Sequence, residues 1–177
     1  MTNLAKFYWS LWIGGWTGVY VLCYLLSPLA QYGCIWITFV ALPIFFNGGA
    51  LRKDFFPQIV SSWLGVAWGL IMLYFAGVFA FMGSTLAMAV SVAIFTVASC
   101  MMMCFENKHL INMVPAAFGG ISTCFSQGGD NWWVVGITLS LGVGLELFCN
   151  EGGALCEKWA ARGKKELKES EKTEEDE

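Results

Sequence analysis

Charge is what this sequence has least of. Aspartate, glutamate, lysine and arginine make up 13% of the 177 residues, against about a quarter in an average soluble domain. So little polar surface cannot cover a water-soluble globule. With 57% hydrophobic residues, lipid is the expected solvent for most of the chain. Histidine is nearly missing: His109, beside Lys108, is the single one, and it reads as a solvated loop residue rather than a proton relay. No Ser/His/Asp grouping, phosphate-cradling glycine loop or metalloprotease motif occurs. An enzyme is therefore not expected, nor a cofactor, nor a nucleic-acid partner. Paired cysteine spacings are absent as well. The seven cysteines, at 23, 34, 100, 104, 124, 149 and 156, form no zinc, redox or disulfide pattern. Most lie in apolar runs, where thiols behave as small hydrophobes. Cys100-Met-Met-Met-Cys104 places two thiols at helical spacing among thioethers, soft ligands that suit Cu(I). Nothing charged or histidine-rich supports metal capture there, so an apolar helix face is expected.

What the chain does have is long apolar runs. A helix needs roughly 20 apolar residues to cross about 30 Å of hydrocarbon, and the hydrophobic part has room for about six such crossings. The expected segments are residues 7–26, 30–46, 57–75, 85–105, 110–126 and 132–149, an all-α polytopic bundle. Residues 1–150 would be the transmembrane domain and 151–177 a charged cytoplasmic tail. The first half of that tail suits an amphipathic helix through Trp159, and its last ten residues are charged enough to predict disorder. The first run is long for a secretory signal core, and no small-x-small cleavage site follows Ser27-Pro28; it reads as an uncleaved first crossing. Tyr8, Trp9 and Trp12 stand at its start, where amphipathic rings favour the interface.

Lysine and arginine occur before segment one, between two and three, beside four and five, and after six. The other connections have none. With six spans these two sets lie on opposite sides, and the positive-inside rule puts both termini in the cytoplasm.

Glycines at four-residue spacing mark close-approach faces: Gly14 with Gly18, Gly65 with Gly69, and Gly144 with Ser140. These serve internal packing or self-association as a homo-oligomer. The stretch from Met113 to Phe125 is the least ordinary. It is apolar, yet holds Pro115, Phe118, Gly119, Gly120, Ser122 and Thr123. Proline removes an amide hydrogen, and paired glycines let a helix unwind. Freed backbone groups survive at membrane depth only inside protein or beside water. Pro43, Phe46, Asn47, Gly48 and Gly49 form a matching group at the end of segment two. Together the two groups suit a narrow polar constriction for a small solute, with Phe46 and Phe118 as apolar gates. The plainer reading is a kinked helix packed through small residues. Glu146 is a further pathway candidate, because an ionisable group inside a span is functional by default. It is expected within about a turn of the surface, in reach of water.

The two Pro/Phe/Gly-Gly motifs, followed by Leu64-Gly-Val66 and Leu141-Gly-Val143, are compatible with a 3+3 inverted repeat. Against this, both prolines would fall in the cytoplasmic half.

Val114-Pro115-x-x-Phe118-x-Gly120-x-x-x-x-Phe125, then Gln127-Gly128-x-Asp130-x-Trp132, then Leu139-x-Leu141-Gly142 resemble the family called domain of unknown function 1097. The proline and Gly48-Gly49 ending segment two resemble it too, as does Trp159-Ala-Ala-Arg162. The resemblance covers roughly residues 7–165, its second half being the more specific. It implies a small multi-span helical protein of the bacterial inner membrane and brings no activity or site residues. The functional expectation is a channel or facilitator lined by interrupted segments two and five. The alternative is a non-transporting scaffold or accessory subunit that docks a partner through glycine faces and the tail.

Overall fold

The computed structural model describes residues 1–48, 51–104, 111 and 113–175. Gly49, Phe105, Glu106, Lys108 and His109 lie outside the described residues. The fold is all-α: α1 is Asn3–Leu26, α2 Thr38–Asn47, α3 Phe55–Val78, α4 Ser84–Cys100, α5 Val114–Ser126 and α6 Trp132–Glu175. No strand occurs among the described residues. Three helical stretches are long and apolar enough to cross a membrane, Asn3–Leu26, Arg52–Met82 and Trp132–Lys165. Ile35–Asn47, Ser84–Cys100 and Val114–Ser126 are apolar but shorter.

Each expected segment falls on a helix, but several ends move for local reasons. The Thr2 hydroxyl accepts the Ala5 amide at 3.3 Å and starts α1 earlier than expected. Ser27-Pro28 does end α1: Pro28 opens a 3-10 turn, Pro28–Gln31, and the Ser27 hydroxyl donates to the Tyr24 carbonyl at 2.7 Å. Segment two is shortened, because a second 3-10 turn, Ile35–Ile37, precedes α2. Helix α4 gives way at Cys100 to a 3-10 turn, Met101–Cys104. Cys100 and Cys104 therefore do not share one α-helical face. At the end of α5, the Gly128 amide bonds to the Phe125 carbonyl and the Gly129 amide to that of Cys124, both at 3.0 Å. This is the Schellman stop, and it needs the left-handed φ of +62° at Gly128. Helix α6 does not stop at Cys149 but continues through the charged region to Glu175, so the described part of the expected disordered end is helical. No proline follows Pro115 to break it.

By packing, the chain forms two compact units, residues 24–147 and residues 1–23 with 148–177. In the larger unit the core is Ile37, Ala41, Phe45, Val66, Cys124, Val135, Leu139 and Val143. Helices α3 and α5 meet almost backbone to backbone. A Cβ at Gly65 would strike the Ala117 carbonyl, one at Gly120 the Ser62 carbonyl, and one at Gly69 would lie 2.8 Å from Cys124 Cβ. Because Gly65 meets Ala117 and Gly69 meets Cys124, the two helices run in the same direction. The α2 region and α6 are also parallel: Gly33 lies against Val134, and Gly142 against Thr38 and Ala41. Helix α4 runs antiparallel to α3, its Ser91 hydroxyl donating to the Met72 carbonyl at 2.7 Å and Phe95 lying 6.1 Å from Trp68. Side-chain bonds pin α6: Tyr24 and Thr138 hydroxyls meet at 2.9 Å, and the Trp63 indole donates to Ser140 at 3.0 Å.

In the smaller unit, α1 packs on α6 through its tryptophans. The Trp9 indole donates to the Cys149 carbonyl at 3.2 Å. Trp12 stacks on Phe148 at 5.6 Å over Gly152, where any Cβ would strike the indole. Trp9 and Trp12, two of the rings expected at the interface, are thus engaged by α6.

These contacts separate the glycines by consequence. Gly120→Ala drives a methyl group into backbone that cannot yield, at the upper end of overpacking penalties, roughly 3 kcal/mol. At Gly144 nothing lies within 4 Å of a Cβ, and Gly144→Ala should leave stability unchanged or raise it by up to about 1 kcal/mol. Thermal unfolding of both variants in detergent tests this; equal melting points would refute the close packing of α3 on α5.

Candidate functional site

Helix α5 is wedged between α2 and α3, and its two glycines face different neighbours. Gly120 faces Ser62 and Val66 of α3. Gly119 faces α2: its Cβ would lie 3.0 Å from Ile44 Cδ1 and 3.4 Å from Val40 Cγ1. Both glycines are buried and the helix passes through them unbroken. The expectation that segment five is interrupted is therefore corrected. Pro115 occupies the first turn of α5, where a missing amide hydrogen costs no helical bond. Pro43, in contrast, lies inside α2 and deprives the Phe39 carbonyl of its donor four residues on. Segment two is the one that lacks a backbone bond, although α2 also runs unbroken from Thr38 to Asn47.

The α2–α5 seam carries two grooves. One, of about 490 Å³, is lined by Pro43, Ile44, Asn47, Gly48, Met113 and Pro115. The other, of about 380 Å³, is lined from the α2 side by Cys34, Trp36, Ile37 and Val40 and from the α5 side by Ser122, Thr123, Ser126 and Gln127. Between them lies the apolar contact of Gly119 with Val40 and Ile44. The sequence groups around Pro43 and Pro115 are thus brought together at one groove, while Ser122 and Thr123 belong to the other. That both prolines line one groove gives the inverted repeat no support.

The hydroxyls differ in what they have left to offer. Thr123 donates to the Gly119 carbonyl at 2.8 Å and to that of Gly120 at 3.1 Å. It closes its own helix beside the two glycines. Ser126 donates to the Thr123 carbonyl at 2.8 Å. Ser122 is exposed and lines its groove. Neither Phe46 nor Phe118 lines either of these two grooves. Phe46 packs against the core and Phe118 is half-buried. The side chains at the constriction are Val40 and Ile44 instead.

Glu146 is not at the seam. It is fully buried, and neither carboxyl oxygen has a hydrogen-bond partner among the described residues. The expectation that it reaches water is overturned by its place on the α6 stripe of Leu139 and Val143, which faces the core. Sequence reasoning passed over Gln58. Its amide is fully buried in α3 and donates to the Ala41 carbonyl at 3.1 Å, while its Oε1 has no partner among the described residues. Gly142, one turn before Glu146, lies against the same Ala41, 3.1 Å from its Cβ. The signal was there to find: an amide inside an apolar span is as informative as a carboxyl. No group of three or more His, Cys, Asp or Glu side chains arranged to hold a metal occurs among the described residues.

Apolar helices packed through glycine faces, with buried amide and hydroxyl bonds between them, define a helical protein of membrane-spanning composition. The family model for proteins of unknown function designated DUF1097 matches residues 10–154, and the chain belongs to that family. No curated protein and no solved structure matches it.

A buried carboxyl without a donor contributes only the penalty of leaving water. Glu146→Met, similar in length and apolar, should therefore melt at or above the temperature of the unaltered protein. Thermal unfolding in detergent checks this, and a fall of more than about 2 kcal/mol would show that the carboxyl has a stabilising partner.

Proposed function

We propose that the protein is a non-enzymatic facilitator of a small solute in the bacterial inner membrane, with the α2–α5 seam as its path. One observation carries the reading: two grooves lie on one seam, and Val40 of one and Ile44 of the other both lie against Gly119. Opening such a contact requires Val40 and Ile44 to move, with no side chain of residue 119 to displace. Pro43 weakens the turn of α2 that carries Val40, so the moving element is the one with the missing backbone bond. Exposed groove residues such as Asn47 and Ser122 suit a homo-oligomer in which a second copy screens the seam from lipid.

The orientation follows the same reading. Parallel α3 and α5, parallel α2 and α6, and antiparallel α3 and α4 are the directions that six alternating crossings require. With the positive-inside rule, Lys6, Arg52 and Lys53 support cytoplasmic termini.

A second reading, a scaffold or accessory subunit, is favoured by α1. Only 6% of its apolar window is buried, and Gly14, Gly15 and Gly18 have nothing within 4 Å of a Cβ. A partner helix approaching there would find the close-approach surface that membrane helices use.

Gly119→Leu, pressing on Ile44 and Val40 rather than on backbone, should abolish solute flux into liposomes while the protein remains monodisperse. Ile44→Ala should raise flux severalfold. Unchanged flux in both variants would remove the seam from consideration. For the second reading, Gly14→Leu with Gly18→Leu should release a crosslinked partner from native membranes, and retention of every crosslink would count against it.

A further inference from the structure

We infer that the solute taken by this seam is uncharged and hydrogen-bonding, of the chemical class of small polyols and amides; this rests on the seam being the path. The chemistry of the lining decides it. Among the described residues, no carboxylate, ammonium or guanidinium lines either groove. The polar atoms offered are the Asn47 amide at one end and Ser122, Ser126 and Gln127 at the other. Each is neutral; the amides and the Ser122 hydroxyl both donate and accept, while Ser126, whose hydrogen goes to the Thr123 carbonyl, accepts. A solute carrying hydroxyls or an amide exchanges water for these groups on entry.

The constriction sharpens the choice. Between the grooves a solute passes Val40, Ile44 and Gly119, which present no polar side-chain atom. A neutral polar group leaving water without a partner loses a few hydrogen bonds, whereas an isolated ion loses far more. Pathways for ions place a carboxylate ring, a basic ring or a ring of backbone carbonyls at the narrow point. Here the carbonyls of Gly119 and Gly120 already accept from the Thr123 hydroxyl, and the single carbonyl that Pro43 frees, that of Phe39, makes no ring. Glu146, the buried carboxyl of α6, lines neither groove and so supplies no charge along the path.

The test uses the full chain reconstituted in phosphatidylethanolamine–phosphatidylglycerol vesicles. Glycerol and urea entry is followed by stopped-flow light scattering; potassium, chloride and glycerol phosphate serve as the charged probes. Glycerol or urea should enter at least about tenfold faster than in protein-free vesicles, while the charged probes stay at background. Ser122→Leu, an exposed position that leaves the α3–α5 packing alone, should lower neutral flux severalfold with unchanged elution. Charged probes crossing as fast as glycerol would overturn the inference and leave the path standing. Neither class crossing above background would overturn the path and the inference with it.

Discussion

Backbone contact between α3 and α5 is the constraint on which the rest of the larger unit depends. In lipid, helices gain nothing from hiding apolar side chains, because the tails around them are equally apolar. Association must come from close packing and from hydrogen bonds between helices. Gly65 against Ala117, Gly120 against Ser62 and Gly69 against Cys124 bring two helices to the distance where dispersion summed over many atom pairs becomes large. The price of that proximity is that neither Gly65 nor Gly120 tolerates a Cβ without moving backbone.

Once α5 is held against α3, its other side is available to α2, and the difference between Gly119 and Gly120 follows. One residue of offset is about 100° around a helix, enough to turn one glycine to each neighbour. Against α3 the contact is backbone on backbone, and rigid. Against α2 it is the tips of Val40 and Ile44 on a glycine, and those tips can swing. The stiff side of α5 anchors it, and the compliant side carries the two grooves.

Much of the fold was legible in the sequence. Six apolar runs became six helices, because an apolar run of that length has few alternatives when every amide must find an internal partner. Ser27-Pro28 ended α1 as read. Local signals were less faithful where a neighbour decided the outcome. Pro115 looked like a break because the segment was expected to begin at residue 110, yet α5 begins at Val114 and the proline sits harmlessly in its first turn. Paired glycines looked like an unwinding signal, but their freedom is used for close approach. Glu146 was judged by its distance along the segment from the polar tail. Burial depends on which face of α6 a residue occupies, and that face is turned to the core. Gln58 drew no notice beside a proline at the start of α3, although it holds the Ala41 carbonyl.

By itself the sequence determined the solvent, the helices and the family, because hydropathy over a long run and a motif at fixed spacing are properties of the chain alone. Which glycine is rigid and which compliant, which residues face one another across the seam, and whether a carboxyl meets water were decided only by the tertiary structure. Each of these depends on what lies opposite a given helix face, and identical local sequence is satisfied by quite different neighbours.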